Sequence, residues 1–231
     1  MLWRNKTLQR LVGRSGLLPL SIQMLSFLEL FCLRGHKPKS VVDLIRRTTR
    51  ERECLLTANE AYLIYSLTSA VSTLPGDVAE VGVYRGGSAR LICAAKADKP
   101  LHLFDTFDGL PEPQEFERKV HKAHQFRSNY DSVKDYLGEF HNVNFYRGIF
   151  PESGEALRDR QFCFVHLDVD LYQSTLDCLR FFYPRMVQGG ILLSHDYSVL
   201  EGVRLAFKDF LADKREIVIE LPTTQCMIYR S

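Results

Sequence analysis

Residues 216–230, EIVIELPTTQCMIYR, hold two β-rich runs, Glu216–Leu221 and Gln225–Arg230, separated only by Pro222, Thr223 and Thr224. A link that short joins antiparallel strands, because a parallel pair needs a crossover of about a dozen residues or more. Upstream the pattern is different. Short β-rich runs near 78–82, 101–105, 143–147, 162–168 and 190–195 alternate with mostly helical stretches. Such alternation builds parallel strands with helices on both faces. The expected fold is therefore α/β: a doubly wound, mostly parallel, Rossmann-like seven-stranded sheet whose last strand is antiparallel. A helix is expected over 58–74, with Ala61, Ile64, Tyr65 and Leu67 on its apolar face and Pro75–Gly76 as its stop.

At 231 residues and 45% hydrophobic content the chain can bury a sizeable core, and one domain plus an appendage suits that length. The six cysteines include no CxxC pair and several sit in apolar runs, so reduced, packed thiols are expected. Charge is distributed unevenly. Residues 1–50 hold ten Lys/Arg against Glu29 and Asp43, a balance of +8, while the remainder holds 20 against 26, a balance of −6. This divides the chain into a basic helical arm, 1–50, and a larger domain, 51–231. A basic arm suits an anionic partner or the chain's own acidic body.

Gly16–Leu33, GLLPLSIQMLSFLELFCL, is interrupted by Pro19, Ser21, Gln23, Ser26 and Glu29. It falls short of ~20 clean apolar residues, and no small-x-small cleavage site follows, so neither a membrane span nor a cleaved leader is expected. Leu20, Met24, Phe27, Leu28 and Phe31 follow helical spacing, the pattern of an amphipathic helix that packs or lies on a membrane surface. The expected location is cytoplasmic, with peripheral membrane contact through this arm, and the chain is expected to form a homo-oligomer. Nucleic acid is not an expected partner, since the basic arm lacks interleaved aromatic residues.

Three constellations carry chemistry. Residues 164–172, FVHLDVDLY, run from an apolar strand into alternating His166, Asp168 and Asp170, which share one face if the strand continues. Burying such groups is costly unless cations or hydrogen bonds compensate. The bland readings are that Asp170 caps the helix starting near Tyr172 and that His166 is a satisfied core imidazole. Residues 189–197, GGILLSHDY, place His195 and Asp196 at the end of the next strand. Asp168 and Asp196 then lie where open α/β sheets keep their ligand crevice, and oxygen ligands of this kind suit Mg²⁺, or Mn²⁺ if a histidine joins them. Finally, Gly82, Gly86 and Gly87 in 80–88, EVGVYRGGS, allow a tight turn into a helix N-terminus, and Asp105 ends the second strand 25 residues after Glu80. An acid there can accept both hydroxyls of a ribose, in either a nicotinamide or a sulfonium cofactor, but G-x-G-x-x-G is absent.

These pieces resemble the macrocin O-methyltransferase (TylF) family: AEVGVYRGGSA (79–89), LFDTFDGLPEP (103–113), YRGIFPES (146–153), HLDVDLYQST (166–175) and GGILLSHDYS (189–198), with Gly202-Val203-Arg204 after them. The seven-stranded arrangement is likewise that of class I methyltransferases. The resemblance implies S-adenosylmethionine bound by Glu80, Gly82, Tyr84, Gly86, Ser88, Asp105, Thr106 and Phe107, with adenine near Gly148 and Phe150. It also implies a divalent cation, Mg²⁺ or Mn²⁺, held by Asp168, His195 and Asp196. The family usually has Asp-Asp where this chain has His195-Asp196. His195 accordingly ligates a softer metal, serves as a base, or leaves a two-carboxylate site.

The implied activity is O-methylation of a hydroxyl on a sugar or glycosylated metabolite, with Asp168 and His195 as the catalytic residues and Asp168 as the base. Loop 110–130, with Phe116, Phe126 and Tyr130, is expected to be the lid. The alternatives are a catechol-like diol acceptor and a non-catalytic protein that keeps the cofactor-binding fold.

Overall fold

The computed structural model describes residues 17–231, with side chains from Met24 onward; the first sixteen residues of the basic arm and the Leu20 side chain lie outside that range. Helices α1 (Leu17–Arg34), α2 (Lys39–Glu51) and α3 (Ala58–Val71) precede strand β1 (Asp77–Val81). Then come α4 (Gly87–Ala95), β2 (Leu101–Asp105), α5 (Tyr130–Tyr136), β3 (Val143–Arg147), β4 (Phe162–Leu167) and α6 (Tyr172–Phe182). Strand β5 (Met186–Ser194), α7 (Glu201–Leu211), β6 (Ile219–Glu220) and β7 (Cys226–Tyr229) complete the order.

The sheet runs β3-β2-β1-β4-β5-β7-β6. Strands β1 to β5 pair in parallel, and β7 is antiparallel to both β5 and β6, opposing Cys226 to Ser194. The antiparallel seventh strand is as expected. Strand β6 is shorter than the Glu216–Leu221 run, since Glu216 leaves the ladder to pair with Arg230 of the other arm of the hairpin. The central strands β1 and β4 are buried along their whole length, which is why they read as apolar runs rather than as alternating patterns.

Each face of the sheet carries its own core. On one, Val42, Ile45, Ile64, Leu91, Leu103, Phe164 and Leu193 pack together, so α2 and α3 share a core with the strands; α2 itself crosses residue 50. On the other, Phe104, Phe162, Phe182 and Phe207 are fully buried, and Phe150 stacks on Phe182 with ring centroids 5.1 Å apart. Each such side chain contributes about 1.5–3 kcal/mol relative to exposure. Helix α3 starts with a capping box, Thr57 accepting from the Glu60 amide and the Glu60 carboxylate accepting from the Thr57 amide at 2.8 Å. All six cysteines are free thiols. No helix among the described residues is long and apolar enough to cross a membrane.

Strand order reverses at β1, with β2 on one side and β4 on the other, so the C-terminal ends of β1 and β4 diverge into a crevice. Every group discussed below is brought there by that topology.

Candidate active site

Gly82 follows β1 with φ +90°, and a Cβ on it would stand 1.8 Å from the Asp168 carbonyl oxygen. The Asp168 amide donates to the Val81 carbonyl at 2.9 Å, so the ends of β1 and β4 are drawn together and only glycine fits. Asp105 fixes the turn that follows. Its Oδ2 accepts from the Val83 and Tyr84 amides at 2.7 and 2.8 Å, and its Oδ1 from the Phe107 amide at 2.6 Å. Burial raises the Asp105 pKa, and the three amides oppose that rise. An ionised carboxylate offers roughly four acceptor positions, so about one remains for a ligand.

Gly82, Tyr84, Ser88, Asp105, Thr106, Gly148 and Phe150 line one cavity of about 1000 Å³. Glu80, Gly86 and Phe107, expected beside them, do not line it, each for a physical reason. Glu80 is wholly buried behind the turn, with Oε1 2.8 Å from His166 Nδ1. Gly86 is the left-handed N-cap of α4 at φ +85°, packed against Val133. Phe107 turns into the core, its ring 5.1 Å from that of Tyr130.

The opposite wall of the same cavity carries Asp168, Asp170, His195 and Asp196. His195 Nδ1 lies 3.2 Å from Asp168 Oδ1 and 3.4 Å from Asp196 Oδ2, and its Nε2 lies 3.5 Å from Glu60 Oε2. Burial disfavours a charged imidazole here, but the carboxylates of Asp196, Asp168 and Glu60 prevail and hold its pKa well above the ordinary histidine value. Burial acts on Asp168 in the other direction, and His195 overcomes it, leaving that pKa lowered. Asp170 is raised well above the usual carboxylate range, by burial first and then by the nearby charges of Asp196 and Asp168.

Two expectations for this wall need correction. Asp170 does not cap α6: Leu171 occupies the N-cap without a side-chain bond, and the Tyr172 amide donates to Glu117 Oε1 at 2.7 Å instead. Asp170 adopts φ +58° and enters the carboxylate cluster. His166 does not share a face with the two aspartates beyond it, because β4 ends at Leu167 and the chain turns. It is the expected core imidazole only in part, with Nδ1 paired to Glu80 and Nε2 buried without a partner.

The segment 110–129 forms the roof. Its ends are tied by Leu110 N to Gln125 O at 2.8 Å and His124 N to Leu110 O at 2.9 Å, and Leu110, Pro111, Val120, His121, Gln125 and Phe126 face the cavity. Phe126 meets the Tyr84 ring edge-on at 5.9 Å. Tyr130 instead belongs to the core beneath Phe107, and Phe116 does not line the cavity.

Three further side chains at the site are announced by no catalytic motif. Glu60 reaches the cluster from α3, its Oε1 also accepting from the Thr224 hydroxyl at 2.6 Å. Burial pushes the Glu60 pKa up, and His195 together with Thr224 and Thr57 brings it down to about 2. Glu117 anchors the roof to the start of α6. His121 is buried at 7% exposure with neither ring nitrogen in a hydrogen bond among the described residues; burial lowers its pKa, with the Asp196 charge and then Gln125 opposing.

Asp168, His195 and Asp196 each offer a ligand atom within 4.8 Å of the others. The Asp168 and Asp196 carboxylates with His195 Nδ1 between them fit a Mg²⁺- or Mn²⁺-type cation on donor chemistry, provided the imidazole gives up the proton that its carboxylate neighbours favour. The glycine turn and the residual acceptor capacity of Asp105 fit an adenosine-bearing ligand on the other wall.

The arrangement matches known proteins. The 8-demethyl-8-(2,3-dimethoxy-alpha-L-rhamnosyl)-tetracenomycin-C 4'-O-methyltransferase of Streptomyces olivaceus is 30% identical over 156 residues, 59% of this chain and 58% of that protein. The chain spans less than two thirds of the length of the curated relatives it matches. The solved structure of the O-methyltransferase NovP superposes with a TM-score of 0.67 at 23% identity, covering 77% of this chain and 82% of that one. The O-methyltransferase from Bacillus cereus in complex with SAH gives 0.62 at 10% identity, covering 90% and 100%. The profile of the macrocin O-methyltransferase (TylF) family matches residues 65–227, from α3 through β7, and the chain belongs to that family.

Proposed function

We propose that the protein transfers the methyl group of S-adenosylmethionine to a hydroxyl of a sugar or glycosylated metabolite. The observation that carries this reading is the single cavity joining the Gly82–Asp105 wall to the Asp168–His195–Asp196 wall. The donor belongs on the first wall and the acceptor hydroxyl on the second. The name of the Streptomyces olivaceus relative, an enzyme of a rhamnosyl-bearing compound, supports a sugar as acceptor.

Asp168 is assigned as the group that takes the hydroxyl proton, since it faces the cavity at the end of β4; its lowered pKa keeps it ionised but makes it a weak base, so the hydroxyl must itself be acidified at the site. His195 orients Asp168 through the 3.2 Å contact, and Glu60 steadies the far side of the imidazole. Asp168, His195 and Asp196 would hold a divalent cation, whose contribution would be to lower the pKa of the acceptor hydroxyl. The segment 110–129 excludes water above the reactants, and alignment within the cavity can account for several kcal/mol of barrier.

The test is incubation with methyl-labelled S-adenosylmethionine and two acceptor panels, 6-deoxyhexose glycosides and catechols, with and without chelator. Label on the glycosides supports the reading. Label on catechols alone moves the acceptor class, and donor binding without transfer to either panel favours the non-catalytic alternative. Loss of transfer with chelator supports the cation.

A further inference from the structure

Helix α1 is anchored on one side and bare on the other. Leu30 and Leu33 are buried in the core shared with α3, and the Asn59 amide at the start of α3 donates to Glu29 Oε2 at 2.9 Å. Met24, Phe27, Leu28 and Phe31, spaced three and four apart, remain 72%, 72%, 56% and 79% exposed. Two phenylalanines, a leucine and a methionine in one exposed row on a fixed helix form a surface that water solvates poorly, and such patches mark interaction sites.

Charge identifies what covers it. Residues 1–42 carry seven Lys/Arg and a single acid, Glu29, which is engaged with Asn59. Arg34 and Lys39 are exposed at the C-terminal end of the row, and Arg4, Lys6, Arg10 and Arg14 precede it in the sequence. A second copy is a poor occupant, because a two-fold interface sets a patch against itself and would bring these bases together with no free acid to meet them. An anionic bilayer answers both features, taking the apolar row at its acyl boundary and the bases at its headgroups.

We propose that the exposed face of α1 seats this protein on an anionic membrane surface. Leu25 and Glu29, on the adjoining side of the same helix, form part of the cavity wall, so attachment sets one side of the cavity next to the lipid. The inference does not depend on the methyl-transfer reading.

The experiment is sedimentation of the full chain with phosphatidylcholine vesicles, with and without ~30 mol% phosphatidylserine, and sedimentation velocity of the protein alone. The expected result is at least ~tenfold tighter binding to the anionic vesicles, weakened by salt. Phe27→Ser/Phe31→Ser should abolish it, and Arg34→Glu/Lys39→Glu should remove the preference for phosphatidylserine. Both pairs lie outside the core, so melting temperatures should match the wild type. Absence of vesicle binding, binding indifferent to both pairs, or a wild-type dimer that Phe27→Ser/Phe31→Ser dissociates would each overturn the proposal.

Discussion

At the scale of single residues, His195 and His121 separate roles that sequence alone confuses. His195 stands where the resemblance to the family leads one to expect an acid, and it touches three carboxylates. His195→Asp should shift the cation that best supports turnover from Mn²⁺ toward Mg²⁺, because an added carboxylate favours the harder ion. Metal titrations of turnover check this; an unchanged ranking makes His195 a bystander. Both ring nitrogens of the buried His121 lack a hydrogen bond among the described residues, so His121→Phe should leave the melting temperature unchanged or raised. It should also raise the acceptor KM about tenfold, the loss of one hydrogen bond, with donor affinity preserved. A lower melting temperature with an unchanged KM would make His121 structural. Asp168 and Asp196 were legible because they end apolar strands. Glu60, Glu117 and His121 were not: Glu117 and His121 lie in no motif, and Glu60 sits in a helix cap whose sequence says nothing of its reach to His195 and Thr224. Asp170 was misread because helix spacing alone does not reveal its positive φ.

At the scale of elements, β1 and β4 followed directly from the sequence because they are buried on both faces and so read as apolar runs, whereas β5 begins at Met186, ahead of the run expected near 190–195. Boundaries at helix ends and in β6 were less legible, depending on side-chain pairings such as Glu216 with Arg230. The β1–α4 turn gives the sharper prediction. Asp105 was expected simply as a ribose acceptor, yet it binds three backbone amides. Asp105→Ala should therefore lower both the melting temperature and donor affinity, each orphaned amide costing about 1–3 kcal/mol. Thermal unfolding and calorimetry with S-adenosylhomocysteine distinguish the cases: an unchanged melting temperature with weakened binding would restore the simpler role.

Across the whole molecule, Glu60 links stability to the site. Its folded pKa of about 2 lies below the unfolded value of roughly 4.3, so its ionised form contributes stability above the latter and loses it as pH falls through the former. The contribution is on the order of 3 kcal/mol. Urea unfolding should find the wild type more stable than Glu60→Gln above about pH 5, with the gap closing toward pH 2. A gap independent of pH would show that Glu60 acts through packing alone.

The central claim is that the two walls of the cavity unite donor and hydroxyl for one transfer. It is tested most directly with methyl-¹³C S-adenosylmethionine and an accepted glycoside, the product being read by carbon NMR for the atom that bears the label. The account predicts a ¹³C-methyl ether on one sugar hydroxyl, formed at least ~10²-fold more slowly by Asp168→Asn while donor binding is little changed. Label on nitrogen, sulfur or carbon, or undiminished transfer by Asp168→Asn, would contradict it.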